Sequence, residues 1–454
     1  MPEQDKSGGE QGSLQARPSF ARSAFLTYGT NLSAALLSFV SVLITARALG
    51  AAGRGDIAFL TTVAFLTAQM TSLGVGQANA NFAAREPHLT PALAGNSVAL
   101  ASLTGGAAAL LLGGLMIVFP GLGGGAGAGL LALVLASIPM LILQEHLLYL
   151  VQAHYGFGVT NASWLVTPVL NVVVNGLLAA FGALTVATAV ATWIGGMTLG
   201  TVVMAWAVVR RLGGFGRPDP PLARRQLGFG LKAHLGRAML FGNYRADQWI
   251  LGVMSSSKEL GLYSVAVAWS EVLFFLPTTL VAVQRPDLVR ASPGEARERA
   301  VVVLRGALAL TLICSVGMVL LAPFLCTTIF GDSFSGSVEM LRVLALGAFG
   351  ITTLKLLGNA LTAQRRPLLE TGAVAVAFVT VFALDFALIP DHGGLGASIA
   401  SAVSYTLGGV AAAIIFSRAL GATAMDLVPR PGDLVSLGRS VRGRFRPAAQ
   451  ASGD

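Results

Sequence analysis

The chain has 454 residues, of which 54% are hydrophobic and 11% charged, against roughly 25% charged in an average soluble domain. With a mean hydropathy of +0.72, most of its surface faces something other than water, which excludes a nucleic-acid binder, a disordered scaffold and a secreted disulfide protein. A net charge of +9 would suggest a polyanionic partner in a soluble chain; here its meaning depends on where the basic residues sit.

A polar stretch of mixed charge (Glu3, Asp5, Lys6, Glu10, Arg17) precedes the first apolar run. That run is too long for the core of a cleavable signal and reads as a first membrane span. A bilayer-crossing helix needs about 20 mostly apolar residues. Twelve such stretches are expected, at 23–49, 56–84, 93–119, 128–153, 158–181, 184–209, 226–254, 259–284, 300–325, 337–363, 367–389 and 395–418. Strongly polar connections fall at 210–225, at 285–299 and after 418, and the first of these divides the spans six and six. The expected organisation is an all-α polytopic membrane protein. It comprises a cytoplasmic N-terminal segment 1–22, an N-lobe 23–209, a cytoplasmic linker 210–225, a C-lobe 226–418 and a basic cytoplasmic tail 419–454.

With the N-terminus inside, 22 of the 30 Lys and Arg residues fall in cytoplasmic segments, three (Arg47, Arg54, Lys258) on the opposite side and five within spans. This bias places both termini in the cytoplasm and accounts for the net charge without nucleic acid. The tail reads as a solvated basic segment, suited to anionic headgroups. Cys314 and Cys326, too far apart along one apolar segment to bridge, read as small core residues.

Transporters are often built from repeated halves. Ala187–Gly196 in span six and Ala400–Gly409 in span twelve match at five of ten positions, and the turn Gly53–Ala58 corresponds to Lys258–Ser264. Both matches keep the chain direction, which favours two lobes related by a pseudo-two-fold along the membrane normal, with a pathway between them.

An ionisable group at the bilayer centre costs about 2.5–3.5 kcal/mol or more, so charges inside spans are the informative ones. Span seven carries Lys232, His234, Arg237, Asn243, Tyr244, Arg245, Asp247 and Gln248. At about 100° per residue these cover an arc of about 220°, leaving a narrow apolar face that includes Gly242, Ala246 and Trp249. Glu271 in span eight lies about as far from the shared turn as Arg245, and attraction in a low dielectric favours pairing them. The alternative is that Asp247 pairs with Arg245 or Arg237; either way the helix has more basic than acidic groups, and Arg237 and Lys232 lack an evident local acid. Span ten presents Lys355, Asn359, Thr352 and Thr362 on one face. Glu145 with Tyr149 and Gln152 forms a stripe on span four, and Asp385 lies late in span eleven. These acids are candidate proton or cation sites, with structural pairing as the alternative.

The five histidines show no metal-ligand spacing, and no nucleophile elbow or phosphate loop is present; no enzyme, metal or cofactor is expected. Three segments carry a family resemblance: residues 43–85 (LITARALGAAGRGDIAFLTTVAFLTAQMTSLGVGQANANFAAR), 243–277 (NYRADQWILGVMSSSKELGLYSVAVAWSEVLFFLP) and 388–405 (LIPDHGGLGASIASAVSY). They resemble the O-antigen type, Wzx-like oligosaccharide flippases of the multidrug/oligosaccharidyl-lipid/polysaccharide (MOP) exporter superfamily, in order and over about a fifth of the chain. Some members have fourteen spans, and the extra pair has no counterpart here.

The resemblance implies a flippase that moves a polyprenyl-diphosphate-linked oligosaccharide from the inner to the outer leaflet of the cytoplasmic membrane, alongside other polysaccharide assembly proteins. A diphosphate crossing the membrane needs cations, so Lys232, Arg237, Arg245 and Lys355, with Asn243, Tyr244 and Asn359, are the expected substrate-cavity residues. Asp247, Glu271, Asp385 and Glu145 are the expected ion-coupling or charge-pairing acids. The rivals are a cation-coupled multidrug exporter, whose cavity should be dominated by acids, and a membrane polysaccharide polymerase or ligase, which should have a sizeable outer loop.

Overall fold

Apolar runs punctuated by glycine, proline and capping hydroxyls fold into thirteen α-helices in the computed structural model, which describes residues 20–430 and 432–433. These are α1 (Phe20–Thr71), α2 (Val75–Arg85), α3 (Thr90–Val118), α4 (Ala128–Ala136), α5 (Ile138–Ala153), α6 (Phe157–Ala180), α7 (Val186–Arg211), α8 (Pro220–Met254), α9 (Ser257–Arg290), α10 (Pro293–Pro323), α11 (Ser337–Ala363), α12 (Pro367–Leu420) and α13 (Ala424–Leu427). No strand occurs among the described residues. The expected segment 1–22 lies almost wholly outside them, as does most of the tail 419–454.

Nine helical stretches among the described residues are long and apolar enough to cross a membrane. Two of them, α1 and α12, each run through a pair of expected spans, broken by a left-handed glycine: Gly50 (φ 68°) and Gly393 (φ 53°). Glycine adopts such a backbone without a Cβ penalty, so the turn between two antiparallel segments takes almost no loop. Helix α8, expected as span seven, is not among the nine. It begins earlier than expected because the Asp219 side chain accepts from the Leu222 amide and Pro220 stands at the first helical position, a favoured start. Ser256 caps α9 through the Glu259 amide, and a reciprocal Ser292/Glu295 box starts α10.

The outward faces carry large apolar side chains, among them Leu110, Ile117, Leu320 and Val379, at 80%, 81%, 73% and 65% exposure. A soluble monomer rarely exposes such surface over more than a few hundred Å²; here it is the lipid face.

The two halves of the chain meet closely at both ends. At the end holding the Gly50 break, α1 packs on the start of α9 so tightly that a Cβ on Gly55 would lie 1.7 Å from the Ser257 carbonyl oxygen, and one on Gly261 1.7 Å from that of Ala51. These glycines belong to the two turns that match in sequence. The Gly393 break sits at the same end, where the Gly394 amide donates to Glu259 Oε2 at 3.0 Å. Toward the linker, a Cβ on Gly230 of α8 would come 2.5 Å from the Leu73 carbonyl oxygen.

Candidate functional site

Helix α8 lies between the halves, and its two faces have separate fates. Gly242, Ala246 and Trp249 line an apolar recess with Phe378 and Phe382 of α12, matching the narrow apolar face of the sequence. The polar face opens on a cavity of three contiguous chambers, of about 310, 430 and 320 Å³.

In the first chamber, Arg245 of α8 pairs with Glu271 of α9 at 2.8 Å, the pairing anticipated from their distance to the shared turn. Lys355 of α11 enters the same chamber, donates to Thr278 Oγ1 at 3.0 Å and sits 5.5 and 5.6 Å from the Tyr244 and Phe274 ring centroids, a cation–π cradle. Tyr244 Oη is buried without a hydrogen-bond partner. Asp247 lines the chamber too, but its carboxylate is held from behind. Tyr263 and Ser401 donate to Oδ2, Ser401 at 3.1 Å, and the Gln248 amide donates to Oδ1 at 2.7 Å. Asp247 therefore has no direct ion pair with Arg245 or Arg237, and is instead bound into the α8–α9–α12 packing. Asp385 of α12 is fully buried, and both its oxygens lack hydrogen-bond partners.

Arg237, expected as a free cation, is paired. Glu145 of α5 meets it at 3.0 Å, and Arg237 donates to Tyr149 Oη at 2.5 Å and Gln69 Oε1 at 3.3 Å. The acid comes from a helix far away in sequence, which is why no local partner was visible. This cluster and the 3.0 Å contact of His234 with the Met70 carbonyl tie α8 to the first half of the chain. Neither Arg237 nor Lys232 lines the three chambers; Lys232 is exposed on the first half of α8, two residues beyond Gly230, which packs on Leu73 toward the linker. Asn243 and Asn359 are buried, with both amide atoms of each unpartnered; they face protein rather than these chambers.

Sequence reasoning missed Arg54. Assigned to the outer turn 50–55, it lies one turn inside a helix because the chain reverses at Gly50, the first residue of that turn. Its side chain lines the second and third chambers together with Arg245. The available signal was Gly50 itself, at the end of a long apolar run. No group of three or more His, Cys, Asp or Glu capable of holding a metal ion occurs among the described residues.

Three cations, Arg54, Arg245 and Lys355, thus converge on the cavity against Glu271 and the hydrogen-bonded Asp247. The arrangement suits an anion that brings apolar or polar groups with it.

Comparisons with known proteins agree on the fold. By structure, the chain is similar to "Lipid II flippase MurJ, inward closed conformation", with a TM-score of 0.73 and 12% identity over 93% of this chain and 94% of that one. It is also similar to an inward-facing multidrug resistance MATE family transporter of the MOP superfamily, with a TM-score of 0.63 and 13% identity over 88% and 98% of the two chains. A MOP superfamily transporter from Pyrococcus furiosus, described as having a binding pocket of reverse polarity, matches with a TM-score of 0.53 and 13% identity over 89% and 95%. A comparison with curated protein sequences finds no match. The family model described as "Polysaccharide biosynthesis protein" matches residues 20–283, and the chain belongs to that family.

Proposed function

We propose that the protein is a lipid-linked glycan flippase, moving a polyprenyl-diphosphate-linked oligosaccharide from the inner to the outer leaflet of the cytoplasmic membrane by alternating access. The observation that carries the reading is the unbalanced cationic cavity, because an exporter of cations would need the opposite sign. Membership in a polysaccharide biosynthesis family and the likeness to a lipid II flippase support it.

In this reading the chain crosses the membrane twelve times. Splitting α1 at Gly50 and α12 at Gly393 and counting α8 with the nine apolar stretches supports that number. The lobes are 23–209 and 226–418, both termini are cytoplasmic, and the Gly55–Gly261 contact closes the outer end. Arg245 and Lys355 hold the diphosphate, with Tyr244 beside them. Guanidinium and ammonium bonds to phosphate oxygens are charge-assisted and strong where water is excluded. Glu271 holds the Arg245 guanidinium in place, leaving its other N–H groups for the phosphate. Arg237 and Glu145 act as a clasp between lobes rather than as substrate ligands. Asp247 and Asp385, two buried carboxyls that cannot both carry charge cheaply, take up a coupling proton or cation. No covalent step is required, and we assign no enzymatic activity.

The test is transport by purified protein in proteoliposomes, offered a labelled polyprenyl-diphosphate oligosaccharide or a cationic dye. The reading expects movement of the first and not the second; movement of the dye alone reverses it in favour of the exporter.

A further inference from the structure

Arg54 has no task in the mechanism above. It lies at the junction of α1, α6 and α7, in the chamber of about 320 Å³ that extends the cavity into the first half of the chain. No carboxylate lies within ion-pair distance of it among the described residues, and its buried Nε lacks a hydrogen-bond partner. An uncompensated guanidinium in a membrane interior is costly. Arg245 lines the same chambers and adds a like charge.

The walls around Arg54 are polar in a particular way. Asn175 is 2% exposed, and its Oδ1, like that of Asn171 one helical turn away on α6, is buried with no donor to bond. Ser38 and Thr61 add hydroxyls, and Trp193 of α7 presents an aromatic ring. Phosphate oxygens are acceptors and leave both amide carbonyls unsatisfied. A sugar supplies hydroxyl donors to those carbonyls and an apolar ring face to the indole. A carboxylate on that sugar matches the guanidinium fork with two parallel bonds.

We infer that the Arg54 recess is a subsite for a carboxylated sugar residue of the lipid-linked glycan, and that Arg54 with Asn171 and Asn175 sets the specificity for it. The inference rests on the flippase reading and names part of its substrate. Arg245 lines all three chambers, so a sugar in the recess adjoins a diphosphate held at Arg245 and Lys355.

The experiment uses the full chain in lipid nanodiscs, titrated with three probes: a polyprenyl diphosphate, the same lipid bearing one glucose, and the same lipid bearing one glucuronic acid. A charge-assisted contact is worth roughly 1.5–3 kcal/mol, so the glucuronosyl lipid should bind about tenfold or more tighter than the glucosyl lipid. Arg54→Gln should reduce that ratio to near one, and Arg54→Lys, which keeps the charge but not the fork, should leave an intermediate ratio. Equal affinities for the two glycolipids in the native protein overturn the inference. So does a preference that persists in Arg54→Gln, or an equal weakening of all three lipids, the mark of a diphosphate contact. Failure of the native protein to bind the bare lipid diphosphate overturns the flippase reading as well, whereas binding it without sugar preference overturns the recess alone.

Discussion

In the proposed alternating-access cycle, the contact between Gly55 and Gly261 is a direct handle on the outer gate. Substituting alanine at Gly261 places a Cβ 1.7 Å from the Ala51 carbonyl oxygen, half the 3.4 Å at which ordinary contact begins, and the obstacle is backbone rather than a movable side chain. The two helices must part, losing the packing of Ala51, Leu260 and Tyr263, all buried at this end. Overpacking of this kind costs about 1–3 kcal/mol. The cost falls on the state in which this end is closed and vanishes when the lobes separate there, so the equilibrium shifts by about 5- to 150-fold toward the open state. The assay replaces Cys314 and Cys326 with alanine and introduces Thr61→Cys, whose side chain lines the cavity. A membrane-impermeant thiol reagent is then applied from the outer side. Labelling should rise by a similar factor in Gly261→Ala and Gly55→Ala, and transport should fall because the protein no longer returns readily. Native labelling and native transport in both variants would refute the assignment of this contact as the outer gate.

Removing Lys355 as Lys355→Gln should lower glycolipid transport by about tenfold or more, the worth of one charge-assisted contact, with unchanged amounts of protein in the membrane. Arg237→Ala should destabilise the protein by about 3 kcal/mol, the low end of the range for breaking a buried pair because Arg237 is 23% exposed; the double variant Arg237→Met, Glu145→Leu should recover most of it, read by thermal unfolding in detergent. Asp385→Asn should abolish dependence of transport on the coupling ion while leaving glycolipid binding intact, measured by transport with and without an imposed ion gradient.

Asp433 supplies the pH-dependent case, since it lies outside the spans. Burial pushes its carboxyl up, but the two bonds from Arg305, at 2.8 and 2.9 Å, and the Arg430 amide hold it below the usual carboxylate range. A depressed value in the folded state means the contact contributes fully above the unfolded pKa of about 3.9 and is lost as pH falls through the lower folded value. A spin label at Val428→Cys should therefore be immobile at neutral pH and become mobile only in strong acid, whereas Asp433→Asn should free it at every pH.

What the sequence made legible was whatever local chemistry determines. The apolar runs, the all-helical fold and the pairing of Arg245 with Glu271 follow from periodicity and from distance to a common turn, which two adjacent helices must share. Helix α8 stood out because its charges are expensive in lipid. The partners that arrive from distant helices were not legible: Glu145 for Arg237, and Tyr263 and Ser401 for Asp247. Nothing in the local pattern of α8 distinguishes a cation awaiting substrate from one neutralised across the bundle. Arg54 was misplaced for a simpler reason. The chain reverses at Gly50, the first residue of the expected turn, so Arg54 lies a turn along the next helical segment, and one turn is the difference between a loop and a cavity wall.

In the proposed function the diphosphate of the substrate rests between Arg245 and Lys355. The measurement that tests it most directly is an experimental structure of the full chain bound to a polyprenyl-diphosphate oligosaccharide. Phosphate oxygens are expected about 2.7–2.9 Å from the Arg245 guanidinium and the Lys355 ammonium, with Glu271 still touching Arg245. Phosphate density at Arg237 or Lys232, outside the three chambers, would contradict it.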